Sequence, residues 1–199
     1  MYSCDRLNHS PVAIRHLPSV INYPHPPMDF FPNADSPQAA APFPLERPAV
    51  ALAILYQADR FLLQLRDDLP QIRHPGQWAF FGGHLEAGES PEQGLWRELA
   101  EEIGYQPPKI QHFGSFLTDA QIMRHVFYAP LTVRVDELQL NEGQDLGLFT
   151  IEEVRRGFCF SERVRQDRPL AHPHRQILLD FLQRYGEKIK NEDGSDKTR

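Results

Sequence analysis

Three glutamates, Glu98, Glu101 and Glu102, stand close together after a glycine-rich segment. In a helix, residues three and four apart are neighbours on one surface, so this spacing sets the three carboxylates side by side. Like charges that close destabilise a bare helix by about 0.2–0.5 kcal/mol per pair. Arg97 reaches Glu101 four residues on, but one guanidinium does not neutralise three carboxylates. A hard divalent cation would, and oxygen-only ligands favour magnesium, manganese or calcium over zinc. Taken alone, the same glutamates also describe a solvated acidic helix face. The preceding Gly82, Gly83 and Gly88 add a second signal, because they let the backbone bend tightly and bring a carbonyl to a cation. Glu89 precedes the helix and lies within reach of Arg97.

The helix that carries these groups is marked at both ends. Ser90 suits the N-cap, Pro91 the first helical position, and Gln93 completes a capping box. Gly104 suits the C-terminal left-handed position. Leu95, Leu99 and Ile103 form an apolar stripe flanked by Trp96, on a different face from the glutamates. Gly94 costs about 1 kcal/mol relative to alanine within a helix, so it marks a close packing contact.

In register, Gly83, Glu89, Arg97, Glu98, Leu99, Glu101, Glu102 and Gly104 match the pattern G-x5-E-x7-R-E-U-x-E-E-x-G-U, where U is bulky and apolar. The final U is Tyr105, an aromatic in place of the usual aliphatic, and Phe81 stands where many relatives have proline. The segment thus resembles the Nudix box, and residues 48–185 resemble the wider Nudix hydrolase family. That resemblance implies an α/β fold, a Nudix-type α/β/α sandwich with a mixed sheet. It implies metal binding by Glu98, Glu101 and Glu102, with Glu98 and Glu102 foremost, and by the Gly82 carbonyl. Glu89 would pair with Arg97, which would orient the metal-binding carboxylates. The implied reaction is attack by water on a phosphorus of a nucleoside diphosphate linked to another group. The expected cofactor is Mg2+, with Mn2+ as its substitute. The general base is either a box glutamate, Glu98 or Glu101, or a downstream acid in residues 141–149, Glu142 before Asp145. The alternative reading is a catalytically silent nucleotide sensor or interaction module on the same fold, although an intact box weighs against it.

Substrate groups are sought beside the box. Arg66, Arg73, His74 and His84 cluster in the segment leading into it and suit phosphate oxygens, Arg66 and His84 above all. Trp78, Phe80, Phe127 and Tyr128 suit base stacking, with Tyr128 chosen as the substrate contact. Residues that distinguish family subgroups are absent: Ala120 and Gln121 stand where ADP-ribose hydrolases resemble one another in a proline, and Ile122 where dinucleoside-polyphosphate hydrolases carry tyrosine. ADP-ribose, another nucleotide sugar and a damaged nucleoside triphosphate all remain open.

These groups need a scaffold. Val50–Tyr56 and Phe61–Leu65 read as strands around a polar turn, followed by short Trp78–Phe81, Ile110–Leu117, Met123–Val135 and Leu146–Thr150. Ile151–Arg156 reads as a helical turn or two. His174–Tyr185 reads as an amphipathic helix with Ile177, Leu178, Phe181, Leu182 and Tyr185 on one face, ending at Gly186. Residues 1–46 form a proline-rich extension, since residues 1–48 hold ten of the eighteen prolines and no glycine. Translation starting at Met28 is an open hypothesis. The domain then spans 47–186, with a charged flexible tail over 187–199.

The 199 residues allow one domain with extensions. A net charge of −6 argues against duplex nucleic acid as a partner, which requires displacement of counterions by a basic surface. Cys4 and Cys159 read as two free thiols. No apolar run has membrane-spanning length and no secretory leader is evident, so a cytoplasmic location is the default expectation. The expected partner is a small nucleotide substrate, with no membrane; a homodimer is left open.

Overall fold

The computed structural model describes residues 48–118 and 120–192, with side chains as far as Gly186. The expectations for the proline-rich segment, Met28 and Cys4 lie outside the described residues. Among the described residues, eight strands appear in chain order: β1 (Ala49–Gln57), β2 (Arg60–Leu65), β3 (Trp78–Ala79), β4 (Gln111–Leu117), β5 (Met123–Pro130), β6 (Asp145–Thr150), β7 (Phe158–Ser161) and β8 (Gln166–Pro169). The α-helices are α1 (Pro91–Ile103), α2 (Ile151–Arg156) and α3 (His172–Glu192).

The first six strands make one sheet in the order β3-β2-β1-β5-β4, with β6 also paired to β2. The β1–β5 pair is parallel and the other pairs are antiparallel, so the sheet is mixed. Successive side chains on a strand point to opposite faces. On β1, Leu52, Ile54 and Tyr56 join Ile177, Leu178 and Phe181 of α3 in one core. Ala51, Ala53 and Leu55 join Leu95, Leu99 and Ile103 of α1 in a second core. A central strand buried on both faces accounts for the unbroken apolar run read in the sequence. The result is the expected α/β/α sandwich.

Several boundaries differ from the sequence reading. The strand expected to reach Val135 stops at Pro130, whose ring removes the backbone donor that further pairing requires. A 3-10 turn at Val135–Glu137 follows. The short strand expected at Trp78–Phe81 is regular only over Trp78 and Ala79, and Phe81 instead bridges to Ala53. Helix α3 continues through Gly186 to Glu192 instead of ending at Gly186. The β7–β8 hairpin was not anticipated. Its alternation is inverted, with Cys159 and Ser161 buried and Phe158 and Phe160 exposed, so apolar periodicity does not reveal it. No helix among the described residues is long and apolar enough to cross a membrane.

Candidate active site

Helix α1 starts and stops as its sequence dictates. Ser90 Oγ accepts from Gln93 N–H at 3.2 Å, while Gln93 Oε1 accepts from Ser90 N–H at 2.9 Å. Gly104 closes the helix in the left-handed conformation at φ +63°. With the apolar stripe fixed against β1, the carboxylates are placed along the side of the helix that meets the Gly82–Gly83 segment. That segment runs beside β1: Ala53 N–H donates to the Phe81 carbonyl at 3.0 Å and Ala51 N–H to the Gly83 carbonyl at 2.9 Å.

Arg97 organises the acidic groups. Its Nε and Nη2 donate to the two oxygens of Glu89 at 3.0 and 3.1 Å. Its Nη1 donates to Glu98 at 2.8 Å and to Glu101 at 3.1 Å, and Nη2 also reaches the His84 carbonyl at 2.9 Å. The guanidinium hydrogen bond holds the Glu89 carboxyl below its usual range, and the surrounding carboxylates hold Arg97 more firmly protonated. Glu98 is half-buried, and desolvation raises its pKa against the opposing pull of Arg97. Gly83 has no Cβ to obstruct this carboxylate: a methyl there would lie 2.5 Å from Glu98 Oε2.

Glu102 is enclosed. It is 3% exposed, accepts from Gly82 N–H at 2.8 Å and from Gln64 Nε2 at 3.2 Å. Burial pushes its pKa up to about 8; the two hydrogen bonds pull the other way, and the charges of Glu142 and Glu98 add to the rise. Gln64 also donates to the Phe80 carbonyl, and its Oε1 is buried without a partner among the described residues. Gln64 was not singled out in the sequence, where it is one polar residue in an apolar strand.

The donor set fits a hard divalent cation. It offers only oxygen, and it includes a buried carboxylate, Glu102, with no cationic side chain bonded to it. Among the described residues, no three acidic, histidine or cysteine side chains are yet gathered into one ligating cluster. Arg97 engages Glu98 and Glu101, whereas Glu102 is turned to Gly82.

The segment carrying Glu142 docks on the end of α1. Asn141 N–H donates to the Glu102 carbonyl and Asn141 Nδ2 to the Glu101 carbonyl, both at 2.8 Å. Gln144 fastens the other side, with Nε2 donating to the Arg66 carbonyl at 2.8 Å. Glu142 is exposed, and its charge is felt at both Glu98 and Glu102. The weaker base candidate, Asp145, belongs elsewhere. It is buried and accepts from Ser161 Oγ at 2.7 Å and Arg163 N–H at 3.2 Å, with Arg163 Nε 3.5 Å away. Its carboxylate ties β6 to the β7–β8 hairpin.

Beyond Gly82 and Gly83, on the α3 face of the sheet, lies a cavity of about 380 Å³. Arg66, Arg73, His74 and His84 line it, as the sequence suggested, and Phe80 forms part of its wall. Tyr128 does not reach it, which corrects the substrate contact expected there. Its ring is 6% exposed, packed 5.1 Å from both Phe181 and Tyr185, and its hydroxyl donates to Gln111 Oε1 at 2.9 Å. Trp78 is likewise core, with Nε1 donating to the Cys159 carbonyl, and Phe127 lies in the α1-side core. Among the cavity residues that the sequence did not single out are Arg124 and His174. Arg124 had a detectable signal: it shares a strand face with Val126 and Tyr128, where a core residue is expected.

The NUDIX domain family model matches residues 45–181, well over half of the chain, and this chain belongs to that family. Among curated relatives, it is 33% identical over 73 residues to the NAD-capped RNA hydrolase NudC of Mannheimia succiniciproducens, covering 37% of this chain and 27% of that protein. It is 56% identical over 32 residues to the nucleoside triphosphatase NudI of Escherichia coli, covering 16% of this chain and 23% of the relative. The chain thus matches only about a quarter of the length of these curated relatives. A solved MutT structure, reported for Aliivibrio salmonicida and Vibrio cholerae, aligns with a TM-score of 0.50 at 27% identity, over 68% of this chain and 100% of the other. The NUDIX domain of Shewanella oneidensis NrtR, complexed with ADP ribose, aligns with a TM-score of 0.54 at 20% identity, over 69% and 88% of the two chains. The latter likeness concerns the fold alone.

Proposed function

We propose that this chain hydrolyses a phosphoanhydride bond in a nucleoside diphosphate linked to another group, with Mg2+ as cofactor and Mn2+ as its substitute. The observation that carries this reading is the placement of Glu98 and Glu102 against the Gly82–Gly83 backbone, with Arg97 linking Glu98 to Glu89 and Glu101. Glu98, Glu101, Glu102 and the Gly82 carbonyl would hold the cation, which when bound supplies positive charge to the phosphate oxygens and makes water more acidic. Glu89 fixes Arg97, and Arg97 fixes the orientation of Glu98. Glu142 takes the proton from the attacking water. Glu142 has no hydrogen bond or ion pair among the described residues, whereas Glu98 and Glu101 are both engaged by Arg97.

The nature of the relatives supports nucleotide chemistry: one is described as an NAD-capped RNA hydrolase, one as a nucleoside triphosphatase, and one fold neighbour was solved with ADP ribose. The substrate class here is a nucleotide sugar such as ADP-ribose or a damaged nucleoside triphosphate. A panel of such compounds, assayed with Mg2+ and with Mn2+ for release of phosphate-containing products, tests the reading. Glu98→Gln and Glu102→Gln are each expected to lower kcat by about 10²-fold or more, and Glu142→Gln by about 10²–10⁴-fold. Full activity in both Glu98→Gln and Glu102→Gln would remove the site assignment. Metal-dependent binding without turnover across the panel would favour a sensor instead.

A further inference from the structure

The cavity on the α3 face has an unusual donor inventory. Arg66, Arg73 and Arg124 line it, no carboxylate does, and none of the three arginines makes an ion pair among the described residues. Arg66 is steadied by donating Nε to the Arg73 carbonyl at 2.9 Å. The chain carries a net charge of −6, so this concentration of positive charge runs against the overall balance.

His174 adds a donor of fixed direction. Phe80 N–H donates to its Nδ1 at 2.9 Å, which leaves Nδ1 without a proton and puts the ring proton on Nε2. The ring is stacked on Phe80, with centroids 4.8 Å apart, so it does not turn freely. Nε2–H has no hydrogen-bond partner among the described residues, and the residue forms part of the cavity wall. An arginine has donors and no acceptor, and this histidine tautomer offers the cavity only a donor. Val50, Leu52, Ile72 and Ile122 supply apolar walls. The volume lies near the lower end of the range of about 300–1,000 Å³ typical of small-molecule sites, enough for one compact moiety.

We propose that this cavity is an anion-selecting subsite, in which Arg66, Arg73, Arg124 and His174 Nε2–H hold a second phosphate-ester or carboxylate group of the substrate, separate from the anhydride that is cut. The proposal rests on the hydrolytic reading above. It narrows the substrate to a nucleoside diphosphate whose attached moiety carries its own negative charge. His174 acts here as a specificity residue, and Phe80 acts through it by fixing the tautomer. The Gly82–Gly83 segment lines the cavity and also meets the carboxylates, so a bound molecule spans both with its diphosphate at that boundary.

Two measurements test this and fail separately. Calorimetry on the full chain in EDTA compares ribose 5-phosphate with ribose and needs no turnover. The phosphate ester is expected to bind saturably, at least tenfold tighter than ribose, and Arg124→Gln is expected to weaken it at least tenfold. Equal binding of the two sugars, no binding of either, or unchanged binding in the variant overturns the subsite. Kinetics with Mg2+ then compare a nucleoside diphosphate linked to a neutral sugar with the same compound bearing an additional phosphate. The charged compound is expected to be preferred at least tenfold in kcat/KM. In Arg124→Gln and His174→Phe that preference is expected to collapse through KM for the charged compound alone. A purely structural role would raise KM for both substrates and overturns the specificity assignment. Hydrolysis that favours the neutral compound rejects the subsite and leaves the enzyme reading standing. Absence of hydrolysis with every substrate rejects the enzyme reading, while the calorimetry still decides the subsite.

Discussion

Arg97 clasps Glu89 through two parallel hydrogen bonds, Nε to Oε1 at 3.0 Å and Nη2 to Oε2 at 3.1 Å. The same guanidinium reaches Glu98, Glu101 and the His84 carbonyl. A lysine keeps the charge but not the planar fork, so it cannot serve these acceptors together. Arg97→Lys is therefore expected to lower kcat/KM at least tenfold while circular dichroism stays unchanged. Parental kcat/KM in that variant would show that Arg97 is dispensable for orienting Glu98.

The two adjacent glycines are expected to fail differently when replaced. Gly82 has φ +116°, and a Cβ there would lie 2.1 Å from the Ala51 carbonyl oxygen, a backbone atom with little freedom to move. Gly82→Ala is expected to cost at least about 2 kcal/mol in urea unfolding. At Gly83 the obstructing atom is the end of the Glu98 side chain. Gly83→Ala is expected to leave unfolding nearly unchanged and to reduce activity by displacing that carboxylate. The opposite pattern, with Gly82 tolerant and Gly83 structurally critical, would contradict the packing described.

His174 predicts an acid-sensitive contribution to stability. Burial, aided by the charges of His74, Arg124 and Arg66, lowers its pKa from 6.5 to about 3. The unfolded chain takes up this proton as pH falls below 6.5, while the folded chain does not until about 3. Stability is therefore lost as pH falls through that window. Glu102, with its raised pKa, acts in the opposite direction between 4.5 and about 8, so the test is a difference between proteins. The stability of His174→Phe, plotted against pH from 6.5 to 5, is expected to fall less steeply than that of the parent. Parallel curves would refute it.

Cation binding is expected to register as stability. A ligand that binds only the folded state stabilises it by about 2.7 kcal/mol at one hundred times its Kd. Thermal melts with Mg2+ should therefore rise in Tm relative to melts in EDTA, and Glu102→Gln should abolish most of the rise. An equal rise in that variant would place the cation elsewhere.

The readable part of this chain is where local rules and chemistry coincide. Helix α1 announces itself because Ser90, Pro91, Gln93 and Gly104 mark its ends while Leu95, Leu99 and Ile103 set its phase. Once the phase is known, the directions of Glu98, Glu101 and Glu102 follow. Arg124 and His174 depend instead on long-range pairing: Arg124 faces the cavity because β5 lies parallel to β1 in a particular register, and His174 matters because α3 returns over Phe80. Tyr128 misled for the related reason that an aromatic on a strand looks the same whether α3 covers it or leaves it open. The β7–β8 hairpin was hidden by its outward phenylalanines, and Asp145 by a partner, Ser161, that the hairpin supplies.

The sheet places the acidic helix on one face and the arginine-lined cavity on the other, and Gly82, Gly83 and His84 belong to both. Such a partition lets inheritance treat the two faces separately. On the proposed reading, substitutions around Arg124 or His174 would retune which molecule is admitted without rebuilding the acidic face. Changes at Gly82 and Gly83 would be felt on both faces at once.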